Sequence, residues 1–201
     1  ERTAIYREQL EKLISANLAY VSKETAGETD NNRTKREEVI RLRNPGQRII
    51  FQDLIRGEIS FDTTELGDFV IGKSLDEPLY HFAVVVDDWR MGVTQVIRGE
   101  DHISNTPRQI LIQEALGVLR PIYAHIPLIL APDRSKLSKR HGAVSVTEYR
   151  DQGFLSDALL NYLALLGWNP GTDQEIFSKQ ELVKQFSIDR LQKGGAIFNL
   201  E

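Results

Sequence analysis

The chain has 201 residues, of which 41% are hydrophobic and 27% charged, with a formal net charge of −4. That balance argues against collagen-like, disordered and membrane classes, and no apolar run approaches the ~20 residues that a spanning helix needs. No membrane partner is expected, and the opening residues do not read as a secretory signal. With no cysteine there is no disulfide framework, thiolate metal site or cysteine nucleophile, and a cytoplasmic location fits. The length suits one large domain or two small ones. The chain begins at Glu1 and its only methionine is Met91, which reads as a piece of a longer protein.

Taken in order, Tyr6, Leu10, Leu13 and Ile14 recur at helical spacing and predict an amphipathic helix ending near Tyr20. Ser22 to Asn32 is polar and reads as a loop. Charge then concentrates. Arg33, Lys35, Arg36, Arg41, Arg43, Arg48 and Arg56 face only Glu37, Glu38 and Asp53, so this stretch is +4 and the other residues sum to −8. Two readings stand: a basic island that holds a local polyanion while the acidic body repels other nucleic acid, or a solvated charged face. Arg48 to Leu54, Glu58 to Phe61 and Asp68 to Ile71 predict short strands separated by Gly57 and Gly67.

The pattern changes near Leu79. Phe82 to Val86 is a continuous apolar run, expected as a strand buried on both faces, with Asp87-Asp88 as the turn that ends it. Thr94 to Ile97 is a second expected strand, leading to Arg98-Gly99-Glu100-Asp101-His102. A helix should follow, with Thr106 as cap, Pro107 in the first turn, Gln109 completing a capping box and Gly117 as the stop. His125 to Leu130 returns as an apolar strand. Polar residues at strand ends, in this strand–strand–helix–strand order, suit half of an open α/β nucleotide-binding sheet. Beyond Ala131 the chain turns helical. Capping boxes are expected at Ser145 with Glu148 and at Ser178 with Glu181, and another helix from Ser156 to a stop at Gly167.

Chemistry concentrates in the loop after Ala131. Arg134, Lys136, Lys139 and Arg140 lie within eight residues counted from Asp133. Cations this close repel one another, and a polyphosphate relieves that cost. A mobile lysine there can also follow charge building on a leaving pyrophosphate. A solvated basic turn is the other reading. His81, His102, His125 and His141 are scattered, with no ligand spacing that points to a metal.

Lys136-Leu137-Ser138-Lys139-Arg140 resembles the K-M-S-K-S signature of class I aminoacyl-tRNA synthetases, in the K-L-S-K-R form usual for the bacterial-type glutamyl-tRNA synthetase family. Tyr80-His81-Phe82-Ala83-Val84-Val85-Val86-Asp87-Asp88-Trp89, Val96-Ile97-Arg98-Gly99-Glu100-Asp101-His102 and Asn105-Thr106-Pro107-Arg108-Gln109 are similar to that family in order and spacing. So are His141-Gly142-Ala143-Val144-Ser145-Val146 and Leu159-Leu160-Asn161-Tyr162-Leu163. The resemblance is most specific from Leu79 to Trp168. It implies an α/β fold: the second half of a Rossmann-like nucleotide-binding fold (80–131), preceded by an inserted connective α+β domain that contacts the tRNA acceptor end (1–79). A helical stem-contact region carrying the K-L-S-K-R loop follows (132–201).

The resemblance implies a glutamate–tRNA ligase that activates L-glutamate with ATP and transfers it to the 3′ end of tRNA(Glu), with Mg2+ accompanying ATP and the full-length enzyme a cytoplasmic monomer. Lys139 would steady the ATP phosphates as the catalytic lysine. Lys136, Leu137, Ser138 and Arg140 would shape the ATP-binding loop, and Asp101 would lie on the ATP side. Arg98 would face the substrate carboxylate, which a permanently charged, bidentate guanidinium suits, and Tyr80 would line the same amino-acid pocket. Arg33, Lys35, Arg36, Arg41 and Arg43 become candidates for tRNA contact. On the residues alone, Tyr80 also reads as a packing aromatic, and Arg98 as a structural partner of Glu100 or Asp101.

The chain lacks the H-I-G-H motif of the family, so the fragment alone is expected to be inactive. It also lacks the cysteines with which some relatives hold zinc, so no zinc and no protein metal site are expected. Two alternatives remain: the paralogue that glutamylates queuosine in tRNA(Asp), and a non-catalytic RNA- or protein-binding module descended from a synthetase.

Overall fold

The computed structural model describes residues 2–23, 38–137 and 145–199. By internal contacts these form two compact units. The first holds residues 1–51, 58–96 and 104–122, and the second residues 52–57, 97–103 and 123–201.

The first unit opens with helix α1 (Thr3–Ser15), whose inward face carries Gln9, Leu10 and Leu13. It stops five residues before the expected end, because Asn17 takes a left-handed conformation with φ 58°, a conformation that asparagine tolerates at a helix terminus. Tyr20 and Ser22 therefore lie on a strand, β1 (Ala19–Lys23), while the rest of the expected loop falls outside the described residues. β1 pairs antiparallel with β2 (Glu38–Leu42), setting Lys23 opposite Glu38. β5 (Phe69–Ser74) and β6 (Glu77–Pro78) complete this sheet in the order β1-β2-β5-β6. The three strands expected between Arg48 and Ile71 are present as β3 (Arg48–Asp53), β4 (Gly57–Asp62) and β5.

The run expected as a buried strand at Phe82–Val86 is instead part of helix α2 (Tyr80–Arg90). Phe82, Val85 and Val86 are buried at 0%, 2% and 0% exposure, and Trp89 follows one turn later. An i, i+3, i+4, i+7 stripe was present, but a short apolar run does not by itself separate a buried strand from a helix. Packing against α1, β5 and a third helix, α3 (Thr106–Leu116), settles the choice here and overrides the strand preference of three successive valines. Asp87 and Asp88 are accordingly in the last helical turn, not in a strand-ending turn. A carboxylate is unfavourable at that end of the helix dipole. Asp87 is compensated by the Tyr6 hydroxyl, which donates to both its oxygens at 2.8 Å, and by Arg2 at 2.8 Å.

The order from Leu79 onward is thus helix–strand–helix–strand. β7 (Gln95–Gly99) leads through a 3-10 segment (Glu100–Asn105) directly into α3. That segment moves the cap position to Asn105, whose side chain makes no capping bond, and makes Thr106 the first helical residue, so Thr106 is not the cap expected of it. Gly117 ends the helix in the left-handed conformation, as expected. β8 (Ile122–Ile126) pairs in parallel with β3 through Asp53 and Tyr123, and the sheet order is β4-β3-β8-β7.

In the second unit, β9 (Ile129–Leu130) is joined in parallel by β10 (Ala196–Ile197). Helices α4 (Val146–Asp151), α5 (Ser156–Leu165) and α6 (Lys179–Gln185) lie between them in sequence. Both capping boxes, Ser145 with Glu148 and Ser178 with Glu181, form as expected. Trp168, Phe177 and Leu182 are buried together, with Ala164, Leu165 and Leu191 packed against them. No helix among the described residues is long and apolar enough to cross a membrane.

The approach of the terminal segment to β9 needs a glycine. A methyl group at Gly195 would lie 2.8 Å from the Leu130 Cδ1 and 2.9 Å from the Leu128 carbonyl oxygen, whereas one at Gly194 would meet nothing within 4 Å. Gly195→Ala should therefore cost about 1–3 kcal/mol of stability, the range for overpacking. Gly194→Ala should be near neutral, and thermal melts of the two variants side by side check the contrast.

Candidate active site

Strand β3 alternates strictly, with Ile49, Phe51 and Asp53 facing inward. The two-residue period that buries Ile49 and Phe51 also buries a carboxylate, and a buried charge must be answered by donors. Asp53 is answered on both oxygens. Its Oδ1 accepts the backbone N–H groups of Ile55 at 3.0 Å, Arg56 at 2.9 Å and His125 at 3.2 Å, and its Oδ2 meets His125 Nδ1 at 2.6 Å. The side chains of both residues are completely buried. Burial alone would raise the Asp53 carboxyl. The bonds from Arg56, His125 and Ile55 outweigh it and hold the group below its ordinary value.

An ionised Asp53 can only accept, so His125 Nδ1 carries the hydrogen. Across the ring, Arg98 Nε–H donates to His125 Nε2 at 3.1 Å. Arginine is a donor only, so Nε2 must be the bare nitrogen, and both neighbours select the same neutral tautomer. Burial is the largest influence on His125 and lowers its pKa. Arg98 and His102 act in the same direction, and Asp53 opposes them. The Tyr123 ring stacks near-parallel to the imidazole, 6.1 Å away at 16°, and the Arg98 guanidinium carbon lies 5.6 Å from the centre of the same ring.

The residues after Arg98 take separate partners. Glu100 pairs with Arg56 at 2.6 Å and accepts the backbone N–H of Leu128 at 3.0 Å, while Arg56 Nε donates to the His125 carbonyl at 3.3 Å. Asp101 pairs with Lys136 at 2.6 Å, and the Lys136 ammonium holds the Asp101 carboxyl below its ordinary value. Glu100 thus holds Arg56, and Asp101 holds Lys136.

The start of the basic loop is a tight reversal. Ala131 N–H donates to the Ser135 carbonyl at 2.9 Å, Arg134 takes φ 65°, and Asp133 accepts from the Ser135 backbone and hydroxyl. Lys136 bridges Leu130, and Leu137 N–H donates to the Ile129 carbonyl at 3.0 Å, so the first two residues of K-L-S-K-R are held against β9. Ser138, Lys139 and Arg140 lie outside the described residues, as do Arg33, Lys35 and Arg36.

Tyr80 belongs to the first unit. It is the first residue of α2, 55% exposed, and meets the His81 ring edge-on at 5.4 Å. Arg41 donates to the Asp68 carbonyl at 2.9 Å, and the exposed Arg43 lies 4.5 Å over the Tyr20 ring. Among the described residues no group of three or more His, Asp or Glu could hold a metal ion.

Asp53 and His125 were missed as site residues in the sequence. Each had a signal: a carboxylate in phase with Ile49 and Phe51, and a single histidine within the apolar run Ile122–Leu130, where a buried polar group requires a partner.

A polar site at strand ends on an α/β sheet fits the class of nucleotide-binding folds in which ligands sit outside the carboxyl ends of the strands. The chain belongs to the family described as tRNA synthetases class I (E and Q), catalytic domain, which matches residues 26–201. It is 56% identical over 167 residues to the glutamate–tRNA ligase of Carboxydothermus hydrogenoformans, covering 83% of this chain and 35% of that protein. It is 45% identical over 228 residues to that of Sulfurihydrogenibium sp., covering 99% of this chain and 48% of the relative. The crystal structure of a glutamate tRNA ligase from Elizabethkingia meningosepticum in complex with its amino acid superimposes with a TM-score of 0.85 at 30% identity, covering 98% of this chain and 50% of that one. The chain spans half or less of the length of these relatives.

Both buried groups have depressed folded-state pKa values, so the stabilisation they supply is complete above their unfolded values. It is lost as pH falls, first below about 6.5 for His125 and then below about 3.9 for Asp53. Urea midpoints of the natural protein should therefore decline between about pH 6.5 and 5. The same series on His125→Gln should lack that first decline.

Proposed function

We propose that this chain is the central part of a glutamate–tRNA ligase, in which the whole protein joins L-glutamate to ATP as an adenylate, releases pyrophosphate, and esterifies the tRNA 3′ end. The observation that carries the reading is the Arg98 guanidinium, held from behind by an uncharged histidine at the end of β7. A fixed cation of this kind suits a side-chain carboxylate. An uncharged glutamine in its place would leave the guanidinium without its counter-charge in a partly dry site, so discrimination comes by penalty. The family match and the glutamate–tRNA ligase relatives support the same assignment.

In this reading Lys139 steadies the ATP phosphates, while the pair Lys136–Asp101 and the backbone bond from Leu137 hold the start of the loop that carries it. Ser138 and Arg140 shape the remainder, and Asp101 lies on the ATP side. The role of Tyr80 toward glutamate rests on the motif alone. Magnesium bound to the ATP phosphates would neutralise charge on the leaving pyrophosphate. Arg41 and Arg43, with Arg33, Lys35 and Arg36, are assigned to the tRNA acceptor end. Residues 1–79 are assigned as the connective domain, 80–131 as the second half of the nucleotide-binding fold, and 132–201 as the stem-contact region. The whole enzyme would be a cytoplasmic monomer.

A charging assay on the complete natural protein tests the assignment, using radiolabelled glutamate, ATP and separate glutamate and aspartate tRNAs. Ester formation on the glutamate tRNA is expected, and transfer only to the aspartate tRNA would overturn it. In the same protein, Lys139→Ala should slow adenylation by about 100-fold or more while changing glutamate affinity by less than about threefold, as a group acting mainly in the transition state does. Rapid-quench measurement of the adenylate alongside equilibrium glutamate binding separates the two effects.

A further inference from the structure

We propose that His125, fixed by Asp53, is the positioning residue that aims the Arg98 guanidinium at the amino-acid carboxylate. This rests on the assignment of Arg98 to glutamate made above. Three constraints meet on one side chain. Asp53 is tied by three backbone N–H groups and so cannot turn, and its second oxygen fixes the plane and tautomer of the imidazole. The bare Nε2 then takes Arg98 Nε–H, the one guanidinium hydrogen whose direction sets the rotation of the whole plane about the Cδ–Nε bond. Tyr123 limits the remaining freedom, because its ring lies beside both the imidazole and the guanidinium. A guanidinium oriented before substrate arrives loses less freedom on binding and presents its ends in a set direction.

The device works only while His125 is uncharged. The groups that face it are Asp53 from β3, Arg56 from the turn that follows, Arg98 from β7, and His102 from the 3-10 segment, with Glu100 neutralising Arg56. A proton on Nε2 would replace an acceptor by a donor aimed at Arg98 Nε–H, and would set two like charges 3.1 Å apart. Arg98 would then leave its place. Glutamate binding should weaken as pH falls through the His125 titration, and ATP binding should not follow.

The test is steady-state charging by the complete natural protein, with KM for glutamate and for ATP followed from pH 8 downward past the ordinary histidine value of about 6.5 to the lowest pH at which the protein stays folded, because burial sets the His125 titration below that value. His125→Ala should raise the glutamate KM about tenfold or more and leave the ATP KM within about twofold. His125→Gln, whose side-chain carbonyl can accept from Arg98, should recover most of that loss and remove the acid-side rise in glutamate KM shown by the natural protein. Equal increases in both KM values with no rescue by glutamine would assign His125 to folding alone and overturn the proposal. If His125→Ala does not fold, the pH profile of His125→Gln decides: loss of an acid-side rise that the natural protein shows supports the proposal, and a profile parallel to the natural protein's, rising or flat, overturns it. Arg98→Ala runs in parallel. If it leaves the glutamate KM unchanged, the assignment of Arg98 itself fails. If it raises that KM while His125→Ala does not, only the positioning role fails.

Discussion

A carboxylate on the inward face of a strand demands donors, and the way Asp53 obtains them organises the second unit. Its side chain gathers the turn after β3 and, through His125, the adjoining strand β8. Because the Asp53–His125 contact and the bonds from the Ile55 and His125 backbones are buried in a low-dielectric region, the set is stiff when complete and costly when broken. Arg98 inherits that stiffness through its Nε–H···Nε2 bond to His125. The neighbouring ion pair of Arg56 and Glu100 ties the same turn to the segment that follows β7, so residues 98 and 100 are both referred back to Asp53. A loop arginine without this backing would spend side-chain freedom each time it met a carboxylate.

The segment from Arg98 to Asp101 distributes its charges among separate tasks. Arg98 is directed by an uncharged base, Glu100 is consumed by Arg56, and Asp101 holds Lys136. Lys136 and Leu137 are held against β9 at the start of K-L-S-K-R, which gives the residues beyond them a fixed point of departure. The start of the basic loop is thereby referred to the same short segment that carries Arg98.

Much of the fold was legible because its signals are local. The strands β3, β4 and β5, the stop at Gly117 and the capping boxes at Ser145 and Ser178 depend on residues within one turn of each other. The helix α2 was not. Its apolar stripe fits a buried strand or a buried helix equally well over five residues, and contacts with α1, α3 and β5 choose between them. Thr106 was misplaced by one position for a similar reason, since a 3-10 segment runs into the helix without a break. The motif residues Arg98, Lys136 and Asp101 could be named from the sequence, but their partners could not. His125 and Asp53 stand 72 residues apart, and Arg98 and His125 27 apart.

By itself the amino-acid sequence determined the family resemblance, the K-L-S-K-R loop, the basic stretch from Arg33 to Arg56, and most strands and caps. These are properties of short segments, set by periodicity, turn chemistry and charge within reach of a few residues. Only the tertiary structure decided that Phe82–Val86 winds into a helix, that Asp53 and His125 form a buried pair, and that this pair holds Arg98. Burial and hydrogen-bond partnership arise when distant segments meet, and for groups such as His125 it is the meeting that sets both the charge and the direction of the side chain.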